Sequence, residues 1–249
     1  TSSFSNSLNQ NFSRSDSWNG NIRLEWMPDT MTNILFRPSI SWTTNDSRST
    51  GISASYNQDP YQYSDDPLSD EGIEKMDEVD AVINRQKSVS LSNSKNNNIR
   101  GMLQLNRKLN NKGRNVTLRM DAKYTDKDSK SISLQNVHLY LVQNEAGLDS
   151  TYQTNRYNLT PSKDYSYSAQ ATYSEPLWKA TFLQFSYKFT YSYSKSDRST
   201  YDFSKYSFDG INPEYGAWGN YLGRLDGELG DYRDDKLSRY SEYRNYTHD

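Results

Sequence analysis

Cysteine is absent from the 249-residue chain, which excludes disulfide staples and thiolate metal sites. Aliphatic residues are scarce. Only 33% of the chain is apolar even with tyrosine counted, and the mean hydropathy is −1.03. That is thin for a soluble core of this size. No apolar run approaches the roughly 18 residues that a membrane helix needs. An excess of one charge is missing too, because 29 Lys and Arg nearly balance 31 Asp and Glu. The net charge of −2 leaves no basic field for nucleic acid, and that class is set aside.

Catalytic motifs are also absent. There is no nucleophile elbow, phosphate loop or dinucleotide fingerprint, and nothing singles out a pair of carboxylates. The two histidines, His138 and His248, fall in predicted loop or rim positions without partners at ligand spacing. Acidic residues cluster at Asp65, Asp66, Asp70 and Glu71, and again at Asp226, Glu228, Asp231, Asp234 and Asp235. Neither group follows the calcium-loop spacing, so both read as solvated loops. No catalytic residue, metal or cofactor is expected, and the chain does not read as an enzyme.

Aromatic residues are plentiful: 14% of the chain, with 21 tyrosines, too many for a disordered segment. They sit in strict alternation. From Tyr165 to Tyr173 the odd positions are Tyr, Tyr, Ala, Ala and Tyr, with Ser, Ser, Gln and Thr between them. From Phe185 to Tyr193 every odd position is aromatic, against Ser, Lys, Thr and Ser. A period of two sends one set to each face of a strand. These two strands form a hairpin, with Glu175-Pro176-Leu177 as its expected turn.

The same pattern recurs along the chain. Trp18, Gly20, Ile22, Leu24 and Trp26 share one parity, and Ile34, Phe36, Ile40 and Trp42 form the returning strand. Pro38 falls in mid-run and predicts a bulge or a gap in the ladder. Ile99 to Leu109 and Val116 to Tyr124 make another hairpin around Asn110-Asn111-Lys112-Gly113. Hairpins are thus predicted at about 1–57, 96–136 and 163–204, with a further strand from about 237.

Polar connections are expected at about 57–98, 126–164 and 203–236, the last holding six glycines. Within the first, Leu68–Arg85 has helical spacing at Ile73, Met76, Val79 and Ile83, and Ser69 is its expected cap. This short helix is expected to pack on its own loop. In the second, Leu139-Tyr140-Leu141-Val142 reads as a small separate strand.

The connections sort by length. Short turns near Pro28, Lys112 and Pro176 lie at one end, and long polar loops lie at the other. Outer-membrane barrels have this asymmetry. On that reading the apolar parity is lipid-facing and the Ser, Asn, Arg, Asp and Lys parity lines a wet lumen. Trp18, Trp26, Trp42, Tyr165, Tyr173, Phe189, Tyr191 and Tyr193 are the candidate lipid-facing or girdle residues. The lumen charges Arg23, Glu25, Arg37, Arg119, Asp121, Lys123 and Lys188 are expected to be solvated and to pair across strands. The expected fold is all-β: six to seven antiparallel up-and-down strands of a larger transmembrane barrel. So few strands cannot close a wide barrel, and lipid does not tolerate an open edge. Either further strands complete the sheet or the barrel reading fails.

Two hairpins carry a family resemblance. Arg23-Leu24-Glu25-Trp26-Met27-Pro28-Asp29-Thr30-Met31-Thr32, followed by Phe36-Arg37-Pro38, resembles the R-x-E-W-x-P-D-S/T-x-T … F-R-P hairpin of the outer-membrane β-barrel proteins of Bacteroidetes, relatives of TonB-dependent receptors. Tyr173-Ser174-Glu175-Pro176-Leu177 and Phe182-Leu183-Gln184-Phe185-Ser186-Tyr187 resemble its Y-x-E-P-L … F-L-x-x-x-Y hairpin. The resemblance covers most of the strand-forming chain and little of the loops. It implies a barrel of roughly 22 strands with a plug. The chain, which begins at Thr1, then reads as part of a longer protein, with plug and signal peptide outside it. The implied function is uptake of a nutrient through the outer membrane. The implied partners are outer-membrane lipid, an energy-coupling protein of the TonB type reached through the plug, and a surface lipoprotein. The competing reading is a secreted or surface all-β binding module, an adhesin or carbohydrate-binding sandwich. That module would bury its apolar face between two packed sheets and have turns of similar length at both ends.

Overall fold

The computed structural model describes residues 4–178, 181–206, 222 and 227–249. It is all-β, with 74% of the described residues in strands. The strands are β1 (Phe4–Asn21), β2 (Leu24–Asp29), β3 (Thr32–Tyr56), β4 (Val82–Lys108), β5 (Asn115–Gln143), β6 (Asp149–Leu159), β7 (Ser162–Trp178), β8 (Thr181–Asp202) and β9 (Arg239–His248). One short helix, α1 (Asp70–Asp77), lies between β3 and β4. All nine strands belong to one antiparallel sheet.

Two consecutive pairs are single lines. β1 and β2 pair with β3 in one register, through Asn21↔Ser39 and Leu24↔Phe36. β6 and β7 share one register against β5, through Leu159↔Lys130 and Ser162↔Lys127. Proline explains both interruptions. The Ile22 amide donates to the Pro38 carbonyl at 3.0 Å, but Pro38 has no N–H to return. Pro161 likewise has none, although its carbonyl accepts from the Asp197 amide at 3.1 Å. Pro38 itself stays in register opposite Gly101, without a bulge. The expected gap is therefore in the neighbouring line. The sheet is a seven-line meander: β1–β2, β3, β4, β5, β6–β7, β8, β9.

Several expected boundaries are corrected. The first connection covers only 57–81, because β4 already begins at Val82. Residues 126–164 are not a loop: β5 runs on to Gln143 and β6 returns from Asp149, so they form a tall hairpin. Leu139-Tyr140-Leu141-Val142 closes β5 and is no separate strand. Glu175-Pro176-Leu177 is not a turn. Pro176 pairs with Phe182, the register slips before Trp178, and the chain reverses between Trp178 and Thr181. His138 lies within β5.

The helix is shorter than its spacing suggests. Ser69 caps it as expected, its hydroxyl accepting from the Gly72 amide at 3.0 Å. It then stops because Asp80 is left-handed, with φ 54. The Ala81 amide donates back to the Met76 carbonyl at 2.8 Å, a helix-terminating closure. Ile73 and Met76 are buried, Val79 is exposed, and Ile83 belongs to β4.

Most of the buried apolar residues form two small clusters, both toward the long-connection end, with Leu35, Val137 and Tyr191 buried outside them. Ile73 and Met76 pack with Ala54, Tyr56, Ala81 and Val82. Leu91, Ile132, Leu134 and Tyr157 pack with Phe203, against which Leu229 and Tyr232 lean.

Candidate functional site

Residues directly opposite in neighbouring strands share a face, so the register assigns every side chain to one of two faces. One face carries apolar rows that cross the whole sheet. Leu24, Phe36, Leu103, Met120, Ala169 and Phe189 form one row. Trp26, Ile34, Leu105, Leu118, Ala171 and Tyr187 form the next. On the other side of the first, Ile40, Ile99, Tyr124, Tyr165 and Tyr193 are in line.

Charges bound this belt at both edges. Asp126 and Lys163 are paired above it. Below it Arg114 clasps Glu175 with two bonds of 2.7 and 2.6 Å, and Arg107 meets Asp29 at 2.8 Å. Lys163 and Glu175 stand twelve positions apart on one line. That is ~40 Å of strand, or ~30 Å of height at a tilt of ~40°.

Burial on this line is inverted. Along β7 the odd positions from Lys163 to Ala171, two of them tyrosine and two alanine, are exposed and the polar even positions are half-buried. All eight residues expected to face lipid or form girdles lie on the belt face. Trp18 and Trp42 sit opposite each other at its upper edge, 75% and 49% exposed, and Trp26 is 64% exposed. Tyr165 is exposed, while Tyr173, Phe189 and Tyr193 are half-buried. The Tyr173 hydroxyl donates to Glu175 at the lower edge. Tyr191 is buried, its ring between those of Tyr167 and Tyr246 at 5.0 and 4.9 Å and tilted against both.

Above the belt the same face is covered over β3 to β6, while Leu8 and Phe12 of the edge strand β1 stay exposed. Leu91, Ile132 and Tyr157 continue its parity through Leu91↔Ile132 and Ile132↔Tyr157, and there Phe203 and Tyr232 close over them. At the tip α1 covers Ala54 and Tyr56. The Tyr56 hydroxyl donates to the Pro67 carbonyl at 2.8 Å, and burial pushes its pKa to about 12. Arg85 bonds Asp70 at 2.5 Å and the Leu68 carbonyl at 2.9 Å. The Arg85 hydrogen bond and charge hold the Asp70 carboxyl below its ordinary range. His138 stacks on Tyr140 at 4.0 Å and meets Asp149 at 3.0 Å. Among the described residues no group of three or more His, Asp or Glu is placed to hold a metal. No described helix is long and apolar enough to cross a membrane.

The opposite face is polar and forms the wall of a trough of about 470 Å³, lined from five strand lines. Arg37, Arg100, Asp121, Lys123 and Lys188 all reach it. The expected charge pairing is only partly present, and it runs along strand lines. Arg23 bonds Glu25 at 2.9 Å, and Arg119 takes Asp121 with two bonds of 2.8 and 3.0 Å. Among the described residues Arg37, Lys123 and Lys188 make no ion pair. Arg100 joins them and was not among the expected lumen charges. Its parity relative to Ile99 and Gly101 carries the signal, but it follows directly on a stretch that reads as loop.

No protein-family model matches this chain, and no curated protein matches it either.

Proposed function

We propose that the chain forms part of the wall of an outer-membrane β-barrel, of the kind related to TonB-dependent receptors, which admits a nutrient solute. One observation carries the reading. On a single face of a single sheet, Ala54, Tyr56, Leu91, Ile132 and Tyr157 are covered by the protein's own connections above Asp126 and Lys163, with Leu8 and Phe12 of the edge strand left exposed, whereas Leu24, Trp26, Phe36, Leu103, Leu118 and Met120 are all exposed below. Each large apolar side chain left in water forgoes roughly 1.5–3 kcal/mol. A continuous row of them across the sheet calls for an apolar cover, and the charge-to-charge height of ~30 Å suits a hydrocarbon band of ~25 Å with its interfaces.

Lipid is the cover on this reading, and the polar trough becomes lumen. Seven alternating lines leave the first and last running the same way, so further strands close the barrel. The connections at 57–81 and 203–238, with the β5–β6 tip, lie outside the cell, where they grip the ligand. The resemblance of the Arg23–Pro38 and Tyr173–Tyr187 hairpins supplies the plug, the energy-coupling partner and the surface lipoprotein as expected partners. Against a secreted sandwich stands the single sheet, since such a module covers one apolar sheet face with another.

The test is fractionation of the full-length gene product with an epitope tag in the 203–238 connection. Recovery in the outer membrane, with the tag removed from intact cells by external protease, is the expected result. A soluble product overturns the reading.

A further inference from the structure

We propose that the trough wall binds a hydroxylated organic anion through a two-by-two array on β4 and β5: Arg100 and Lys123, with Asn98 and Thr125 one row above. The proposal deepens the barrel reading, since it names the solute class the lumen would favour.

Two independent observations meet at this array. The first is an uncompensated charge pair. Arg100 and Lys123 are directly opposite each other, and like charges in that position destabilise a sheet. Neither has an ion-pair partner among the described residues. The nearby wall acids are occupied, Asp121 by Arg119 and Glu25 by Arg23 and Asn33. Asp164, one row above Lys123, makes no ion pair with it. Arg37, diagonal to Arg100 on β3, adds a third cation of the same sign. A local conflict left in a native sheet is a pointer to function.

The second observation concerns acceptors. Asn98 and Thr125 are also directly opposite, and among the described residues the buried side-chain oxygens Asn98 Oδ1 and Thr125 Oγ1 have no hydrogen-bond partner. Asn96 Oδ1, the next residue up on this face of β4, is in the same state. Buried polar atoms are normally satisfied. Here acceptors without donors stand beside cations without anions. A carboxylate or phosphate oxygen answers the second need and a hydroxyl on the same molecule answers the first. A purely anionic or a purely hydroxylated molecule satisfies half of the array.

Three probes separate these contributions: gluconate carries charge and hydroxyls, glucitol hydroxyls alone, and hexanoate charge alone. Titration calorimetry on the full-length protein in detergent should show gluconate binding tighter than either of the others by about tenfold or more, the worth of one charge-assisted or buried hydrogen bond. Arg100→Gln and Lys123→Gln should each weaken gluconate by about the same factor. Asn98→Leu should lower gluconate toward hexanoate and leave hexanoate unchanged. Equal binding of gluconate and hexanoate overturns the array, as does indifference to Arg100→Gln. An acidic segment of the protein lying over the pair would appear as no gluconate binding in wild type, with thermal stability falling in the double Gln variant, and that also overturns it. Heat-modifiable migration on gels reports the barrel separately. A heat-modifiable protein that ignores gluconate loses the site and keeps the barrel. A soluble protein that binds gluconate through Arg100 keeps the site and loses the barrel.

Discussion

Phe189 and Lys188 are chain neighbours on β8, yet the register sends them to opposite faces. Phe189 pairs with Ala169 in the middle of the apolar belt, while Lys188 reaches the trough. Their substitutions should therefore differ in kind. On the proposed barrel reading, Phe189→Arg places a guanidinium on the lipid-facing side near the midplane, at a cost of ~2–4 kcal/mol, and should block assembly into the outer membrane. Lys188→Ser removes one charge from a wet wall and should assemble normally. Quantifying heat-modifiable protein in membranes from both variants tests the assignment, and equal losses would sink it. The alternation that separates these two residues was plain in the sequence, because a period of two survives any choice of neighbours. The ion pairs were not. Arg119, Asp121 and Lys123 follow one another at alternate positions of one strand, and only coordinates show that Asp121 is gripped by Arg119 and not by Lys123.

At the scale of elements, sequence and structure part where polar residues form strands. Residues 84–98 of β4 read as loop because Ser, Asn and Lys fill both parities around Val89 and Leu91. They are strand because β3 and β5 supply a complete ladder on both sides. Above the belt only Val89 and Leu91 of this stretch enter an apolar cluster, so backbone pairing decides for the rest. Helix α1 shows the reverse error. Its apolar spacing runs beyond its end, but left-handed Asp80 stops it and Ile83 joins β4.

The docking of α1 yields two predictions. Met76 is fully buried under it, and Met76→Ala should weaken the docking by ~2–5 kcal/mol, the range for large-to-small core changes. Faster amide exchange over 69–83, with β7 and β8 unchanged, is the expected signature. The second concerns pH. Asp70 has its folded pKa depressed by Arg85, so its contribution is present above the ordinary carboxylate value and is lost as pH falls through the folded one. Proteolysis between 57 and 81 by an acid-active protease should thus accelerate below about pH 4, and Asp70→Asn should flatten that dependence. The effect is small, because the Asp70 side chain is 80% exposed.

For the whole molecule the decisive property is the parity of its strand lines. Seven lines that alternate in direction leave β1 and β9 parallel, so the two cannot join in the antiparallel ladder used everywhere else in the sheet. Along β1, alternate amides and carbonyls point away from β3 and have no partner among the described residues. In hydrocarbon an unsatisfied backbone group costs several kcal/mol, so the lower part of that edge cannot stand bare in a membrane. In the full-length protein assembled in lipid, the amides between Trp18 and Asp29 that face away from β3 should exchange as slowly as those of β4 at the centre of the sheet. Hydrogen exchange read by mass spectrometry resolves this. Slow exchange means that the edge is sealed by another antiparallel strand and that the apolar belt continues around a closed wall. Fast exchange of these amides between Trp18 and Asp29 would mean an open sheet, and an open sheet with this belt could not reside in a bilayer.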